Sequence, residues 1–257
     1  EPRLRAGDRI LPLSVPSGNP LSKNLERVFQ TLSFLGAVRI GAEDAFPIPE
    51  SVEARDVGHD GRFAPFWFEQ LADEDVDTLR NFPGSEAATF RKQLDSWLAS
   101  LFPGAAANVQ NVTATSQMNL QFRLTELGSW QRPSNIGYGL TYAFPILVAL
   151  LAASPQQVIV IDSPEAHLHP SAQSQMGRIL AAFANAGVQI IVETHSDHLL
   201  NGVRLALRDG HLQPADLRIH FFKGANGKNH GVTTPGIGAG GDIYEWPEGF
   251  FDQSEKD

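Results

Sequence analysis

A chain of 257 residues with 42% hydrophobic and 19% charged residues buries a real core and fits one large domain or two small ones. It has no cysteine, which excludes disulfides, thiolate zinc sites and thiol nucleophiles and fits an intracellular, cytoplasmic protein. A net charge of −9 argues against a surface given over to nonspecific phosphate-backbone binding, since clustered Lys and Arg supply that, and leaves a local basic groove or a Mg2+-nucleotide open.

The opening EPRLRAGDR lacks the apolar core of a secretory signal, and the expectation is a natural start upstream of Glu1. Residues 1–20 read as a Pro-, Gly- and Ser-rich loop. Residues 21–35 place apolar groups at helical spacing with Ser22 as a cap, AVRIGA reads as a short strand, and residues 41–66 are polar and turn-rich. A helix is predicted over 85–102, closed by Pro103 and Gly104. Over 117–125, Met118, Leu120, Phe122 and Leu124 alternate with Asn119, Gln121 and Arg123, the pattern of a strand with one wet face.

The second half is regular. A helix follows Gly139 through LTYAFPILVALLAAS, kinked or delayed by Pro145. Its longest apolar run, AFPILVALLAA, falls well short of the roughly 20 residues of a membrane span. Then come a buried strand over 156–162, a helix over 171–186, a strand over 188–194, a helix ending at Gly210 and a third strand over 217–222. Continuous β-branched runs separated by such helices predict parallel strands covered on both faces and joined by right-handed crossovers. The fold class is α/β.

Ligands of open parallel sheets sit beyond the carboxyl ends of the strands. One strand there delivers Asp162, Ser163 and Glu165, and the next delivers Glu193, Thr194 and His195. If the two strands are neighbours, Asp162 and His195 face one crevice. A carboxylate in that place suits Mg2+, which uses one or two carboxylates plus substrate phosphates, and an imidazole suits a phosphate oxygen or a water.

VIVIDSPEAHLHP, followed after one helix by VQIIVETHSDHLL, resembles the Walker B, D-loop and H-switch region of ABC-type ATPases, specifically the predicted ATPases related to the OLD family. SNIGYGLTYAFPILVALLAA resembles that group's signature segment, and LSFLGAVRIGAED and GDIYEWPEGFFDQ extend the likeness toward both ends. The resemblance implies a P-loop NTPase of ABC type: a C-terminal lobe with a mostly parallel sheet flanked by helices, plus an irregular α+β N-terminal part. It divides the chain into residues 1–130, an irregular part of the ATPase head; 131–223, the core lobe; and 224–257, a C-terminal extension.

The same resemblance implies ATP and Mg2+ as cofactors, Asp162 as the acid that organises the metal, and His195 as the switch histidine near the γ-phosphate. Asn135, Gly137 and Gly139 become the signature loop, where glycines let backbone N–H groups at a helix N-terminus approach phosphate. That loop contacts nucleotide on the opposite protomer in the superfamily, so a homodimer through signature and D-loop is implied. A nuclease or other effector, with nucleic acid or anti-phage defence as its setting, follows by analogy, and no membrane is involved.

Two departures qualify the likeness. Ser163 stands where many ABC-type ATPases place a catalytic Glu; a serine cannot be that base and remains a nucleotide contact, so Glu165, two residues on, is the substitute and slow hydrolysis is expected. No GxxxxGK[ST] occurs anywhere, and GANGKNHG at 224–231 reads as a turn. The expectation is a Walker A lobe upstream in a longer protein or on a separate chain, so that this chain alone holds half a nucleotide site and is inactive by itself.

Two other classes stay open: a zinc-dependent hydrolase using His167, His169 and His195 beside Glu165, and a noncatalytic dimerisation scaffold. His198 reads as a packing or surface residue. Arg39 either approaches a phosphate or pairs with Glu43. IYEWPEGFF reads as a packing plug or partner surface, having no interleaved Lys or Arg to support base stacking.

Overall fold

The structure is a computed structural model, and it describes residues 31–50, 55–86, 88–112, 117–154, 157–222 and 231–251. The predicted loop over 1–20, nearly all of the helix predicted over 21–35 and most of the 224–231 turn lie outside the described residues. In chain order the elements begin with β1 (Ser33–Leu35), β2 (Ala45–Pro47), α1 (Ala64–Gln70), α2 (Phe90–Leu101), β3 (Ala106–Val112) and β4 (Gln117–Arg123). They continue with α3 (Tyr138–Ala152), β5 (Val158–Asp162), α4 (Pro170–Asn185), β6 (Gln189–Glu193) and α5 (Asp197–Arg208), and close with the short β7 (Phe221–Phe222), β8 (Val232–Thr233), β9 (Gly236–Ile237) and β10 (Ile243–Tyr244).

The parallel sheet runs β1-β5-β6, with Phe34, Val160 and Ile191 in register across it and Asp162 opposite Glu193. A separate antiparallel sheet runs β2-β4-β3. Between them α3 packs against α1, α2 and β5. An apolar sequence on every side of a helix calls for a wholly buried site, and all of α3 from Leu140 to Ala152 is buried. Phe144 stands edge-on to Phe68 of α1 and Phe122 of β4, with ring centroids 5.7 and 5.5 Å away, tying the two sheets to one core. Burial of side chains such as Ile159 and Ile161 contributes about 1.5–3 kcal/mol apiece.

Pro145 sits inside α3 without ending it. A Cβ on Gly61, whose φ is +80°, would lie 2.7 Å from the Pro145 ring, so the turn below α1 comes this close only as glycine. The far end of α3 is closed by the buried Arg80, which donates to the carbonyls of Leu151 and Ala153. Such capping satisfies carbonyls that a helix terminus leaves without partners.

Several elements depart from expectation. Ser33–Leu35 forms a strand where helical spacing predicts helix, because both residues flanking Phe34 bury against the core while the backbone pairs with Ile159–Ile161. AVRIGA is not a strand: its backbone turns away, Ile40 donating its N–H to the Asp60 carbonyl at 2.9 Å. The turn-rich stretch before residue 66 holds β2 and the start of α1, α2 starts at Phe90 rather than 85, and α3 starts at Tyr138. The predicted third strand over 217–222 shrinks to Phe221–Phe222, pairs antiparallel with β8 and does not join the parallel sheet.

The largest difference concerns coverage. The core face of the parallel sheet carries Leu35, Ile159 and Ile161, with Ile190 and Val192 packed against the same cluster. On the opposite face Phe34 is 43% and Ile191 52% exposed. The two-sided burial that a parallel sheet calls for is therefore present on one side alone among the described residues.

Candidate functional site

The site begins where β5 and β6 stop. Their equal lengths and aligned register set Asp162 directly beside Glu193. Ser163 then turns the chain with φ of +47°, a left-handed conformation that costs a β-substituted residue energy, and its N–H donates to the Glu193 carbonyl at 3.0 Å. This turn aims the Ser163 hydroxyl at Asp162 Oδ1, 2.9 Å away, with Glu193 Oε2 at 3.4 Å. One hydroxyl thus stands between two carboxylates.

His195 follows β6. Its Nε2 lies 3.2 Å from Glu193 Oε1, and its side chain is 89% exposed. Its backbone is fixed from two directions. The His195 N–H donates to Glu165 Oε1 at 3.0 Å. The next residue, Ser196, caps α5 by accepting from the Leu199 N–H at 3.0 Å and donates to Gln173 Oε1 of α4 at 2.6 Å. Glu165 Oε2 is buried with no hydrogen-bond partner among the described residues. The structure therefore brings Asp162, Ser163 and His195 together through Glu193, a strand-end residue to which the sequence reading gave no role, and ties Glu165 directly to the His195 backbone. The signal for Glu193 was legible: two β-branched runs of matched length each end on a carboxylate.

Arg39, 3% exposed, reaches this place from the segment after β1. It neither pairs with Glu43 nor points to solvent; its guanidinium donates to the backbone carbonyls of Asp162 and Ser163 and lies over the Tyr142 ring at 5.6 Å. Burial lowers its pKa to about 10, an effect opposed by the nearby Tyr142, Asp162 and Glu165.

The start of α3 and the turn after β5 meet nearby. Asn135 ends a short helical turn, Gly137 caps α3, and the space where a Gly137 Cβ would stand is open. A Cβ on Gly139 would lie 2.8 Å from the His167 carbonyl oxygen, so this crossing requires glycine. His167 takes a φ of +62° and packs its ring on Tyr142 and Tyr138, with centroids 4.6 and 5.3 Å away.

The three histidines of the zinc reading do not converge. His167 is held on the two tyrosines, His169 caps α4 by accepting from the Ser171 N–H through Nδ1 at 3.4 Å, and His195 contacts Glu193. No three His, Cys, Asp or Glu side chains are grouped for a metal among the described residues. His198 is a half-exposed surface residue beside Asp197, as read. No helix among the described residues is long and apolar enough to cross a membrane.

Comparison with known proteins bears on this geometry. The family described as "AAA domain, putative AbiEii toxin, Type IV TA system" matches residues 22–201, and "Protein of unknown function (DUF3696)" matches residues 212–257. No curated protein matches the chain. Among solved structures, the chain is similar to one from "Structural biochemistry of ATP-driven dimerization and DNA stimulated activation of SMC ATPases", at 14% identity over 58% of this chain and 83% of that one, with a TM-score of 0.42. It is also similar to the "SmcHead bound to the C-winged helix domain of ScpA", at 13% identity over 68% of this chain and 54% of that one, TM-score 0.43. An Smc head domain from Pyrococcus yayanosii is similar at 14% identity over 58% of this chain and 26% of that one, TM-score 0.40. With well over half of its length matched, the chain belongs to the family described as "AAA domain, putative AbiEii toxin, Type IV TA system".

Proposed function

We propose that this chain is the C-terminal lobe of an OLD-like ATPase head, which binds Mg2+-ATP at a homodimer interface and hydrolyses it slowly as a cytoplasmic switch for an effector acting on nucleic acid or in anti-phage defence. The observation that carries the reading is the grouping of Asp162, Ser163 and Glu193 beside His195 at the ends of two paired parallel strands. Their donor set is oxygen, with two carboxylates and a hydroxyl, which fits a hard cation such as Mg2+. Bound there, Mg2+ would neutralise phosphate charge. Asp162 holds the metal, with Glu193 beside it, and Ser163 keeps both carboxylates facing one point.

His195 has its backbone anchored and its ring in the open, the arrangement of a side chain that meets a phosphate oxygen. Glu165 spends one oxygen on the His195 N–H and keeps the other free of protein donors, which suits it to orient a water. Ser163 has no basic group, so turnover is slow. On α3, Asn135, Gly137 and Gly139 present an exposed helix start to phosphate of the opposite protomer, and the packing of Gly139 against His167 joins that loop to the D-loop in one dimerisation surface.

The row of exposed Phe34 and Ile191 with the half-buried Val160 between them supports a second lobe. Parallel sheets are ordinarily covered on both faces, and this row runs beside the Asp162 and Glu193 ends. A lobe bearing GxxxxGK[ST], in the same chain or a separate one, would cover the row and bring the phosphate loop to the acids. The division at residues 130 and 223 belongs to the same proposal. The test is binding and turnover of ATP by the protein carrying both lobes, comparing wild type with Asp162→Asn and His195→Ala. Loss of turnover in both is expected; unchanged turnover in both defeats the reading.

A further inference from the structure

Arg39 has no part in the roles above, yet it is a buried cation at the acid end of β5. Strand β1 ends at Leu35, opposite Ile161, so the next two carbonyls along β5 and just beyond it, those of Asp162 and Ser163, run past the last β1 residue. Arg39 donates to both of them. Its own segment is fastened, with the Gly36 N–H on the His59 carbonyl at 2.7 Å and the Ile40 N–H on the Asp60 carbonyl at 2.9 Å. A Cβ on Gly41 would lie 2.5 Å from the Tyr138 ring, so the segment is also pressed against the start of α3. A planar fork of donors spans the two carbonyls while its carbon stands 5.6 Å from the Tyr142 ring centroid, a pair of contacts that a lysine ammonium does not reproduce.

We propose that Arg39 is a positioning residue: by clasping the two carbonyls beyond the end of β5 it holds the left-handed turn at Ser163, and that turn sets the Asp162 and Glu193 carboxylates on one hydroxyl. The proposal rests on the reading above in one respect, that the acid pair holds a divalent cation. Its contact with Tyr142 makes the same guanidinium the link between α3 and the acid end. Because the side chain is 3% exposed and both its Nη groups donate to backbone carbonyls, with Nε buried and without a hydrogen-bond partner among the described residues, it acts through Asp162 and Ser163 rather than on a phosphate.

The test uses the whole chain in two measurements, with Arg39→Met and Arg39→Lys beside wild type. The first is hydrogen–deuterium exchange without metal. The Ser163, Ala166, Leu168 and His195 amides, bonded to Glu193, Ser163 and Glu165, should exchange faster by at least about tenfold in Arg39→Met, the scale of one charge-assisted hydrogen bond. Amides of α4 and α5 should be unchanged, and Arg39→Lys should recover part of the protection. The second is Mn2+ titration followed by electron paramagnetic resonance, where Arg39→Met should bind at least about tenfold more weakly and Arg39→Lys fall between. Unchanged local exchange in Arg39→Met, equal loosening across the chain, or Mn2+ affinity untouched despite local loosening would each overturn the clasp. Local loosening in Arg39→Met alongside a wild type that takes up no Mn2+ would instead remove the metal reading and leave the clasp standing.

Discussion

The two faces of the parallel sheet are built from the same strands and much the same residue types, yet they do different work. Leu35, Ile159 and Ile161 point into a cluster shared with α3 and α4, while Phe34, Val160 and Ile191, one residue out of phase, form a row on the other side. Side chains of a strand alternate between faces, so a single β-branched run writes both. What separates them is the covering. The helices of this chain close the first face and make it the source of stability; the second is left half-open beside two carboxylates among the described residues.

The largest effect should come from cutting into the covered face. Ile161→Ala, at a fully buried position, should cost about 2–5 kcal/mol in urea unfolding, whereas Ile191→Ala should cost under about 1 kcal/mol. Equal costs would mean that both faces are core. Next in size is the acid at the end of the open face. Asp162→Asn keeps an oxygen to accept from Ser163 but loses its charge, and should weaken Mn2+ binding at least about tenfold, since even outer partners of a metal typically cost about 10–100-fold. Retention of wild-type Mn2+ affinity would show that Asp162 plays no part in holding the cation.

A half-buried carboxylate at the edge of the core sharpens the contrast. Burial raises the pKa of Asp95 on α2, against the bond from the Ala107 N–H at 3.0 Å and the charges of Arg123 and Arg91. A folded value above the unfolded one gives a stability contribution that is present below the ordinary carboxylate range and is lost as pH rises through the folded value. Asp95→Asn keeps the acceptor and removes that loss. Thermal unfolding should therefore show the variant as stable as wild type or up to about 1 kcal/mol more so at neutral pH, with a flatter acid-side profile. A marked loss at neutral pH would mean that the Asp95 charge supports the fold. Smallest of all, Ile191→Lys should change stability by no more than about 0.5 kcal/mol while abolishing capture of the proposed lobe bearing GxxxxGK[ST], supplied as a separate chain and read by sedimentation of the mixture. Undiminished capture would move that lobe to another surface.

Legibility followed the length and regularity of each element. The strands ending at Asp162 and Glu193 and the helices between them are readable because β-branched runs, the Pro170 start of α4 and the Ser196 cap of α5 mark them locally. β1 was not, since three residues carry no period of their own and their pairing with Ile159–Ile161 overrides helical spacing. The Phe221–Phe222 strand was misplaced for the converse reason: an apolar run does not say which sheet it joins. Asp162, Ser163, Glu165 and His195 were named from the strand ends and the family resemblance, and the structure places them close together, whereas the links through Glu193 and the Arg39 contacts depend on which groups a neighbouring strand leaves unpaired.

By itself the sequence determined the α/β class, the strand ends that carry acid and imidazole, and a signature-like helix too apolar to lie on a surface, because alternation, caps and β-branching act over a few residues. Only the tertiary structure decided that Asp162 and Glu193 share a hydroxyl, that His167 and His169 serve packing and capping, and that one sheet face stays open. Register and coverage are settled by contacts between segments far apart in the chain, which no local pattern encodes.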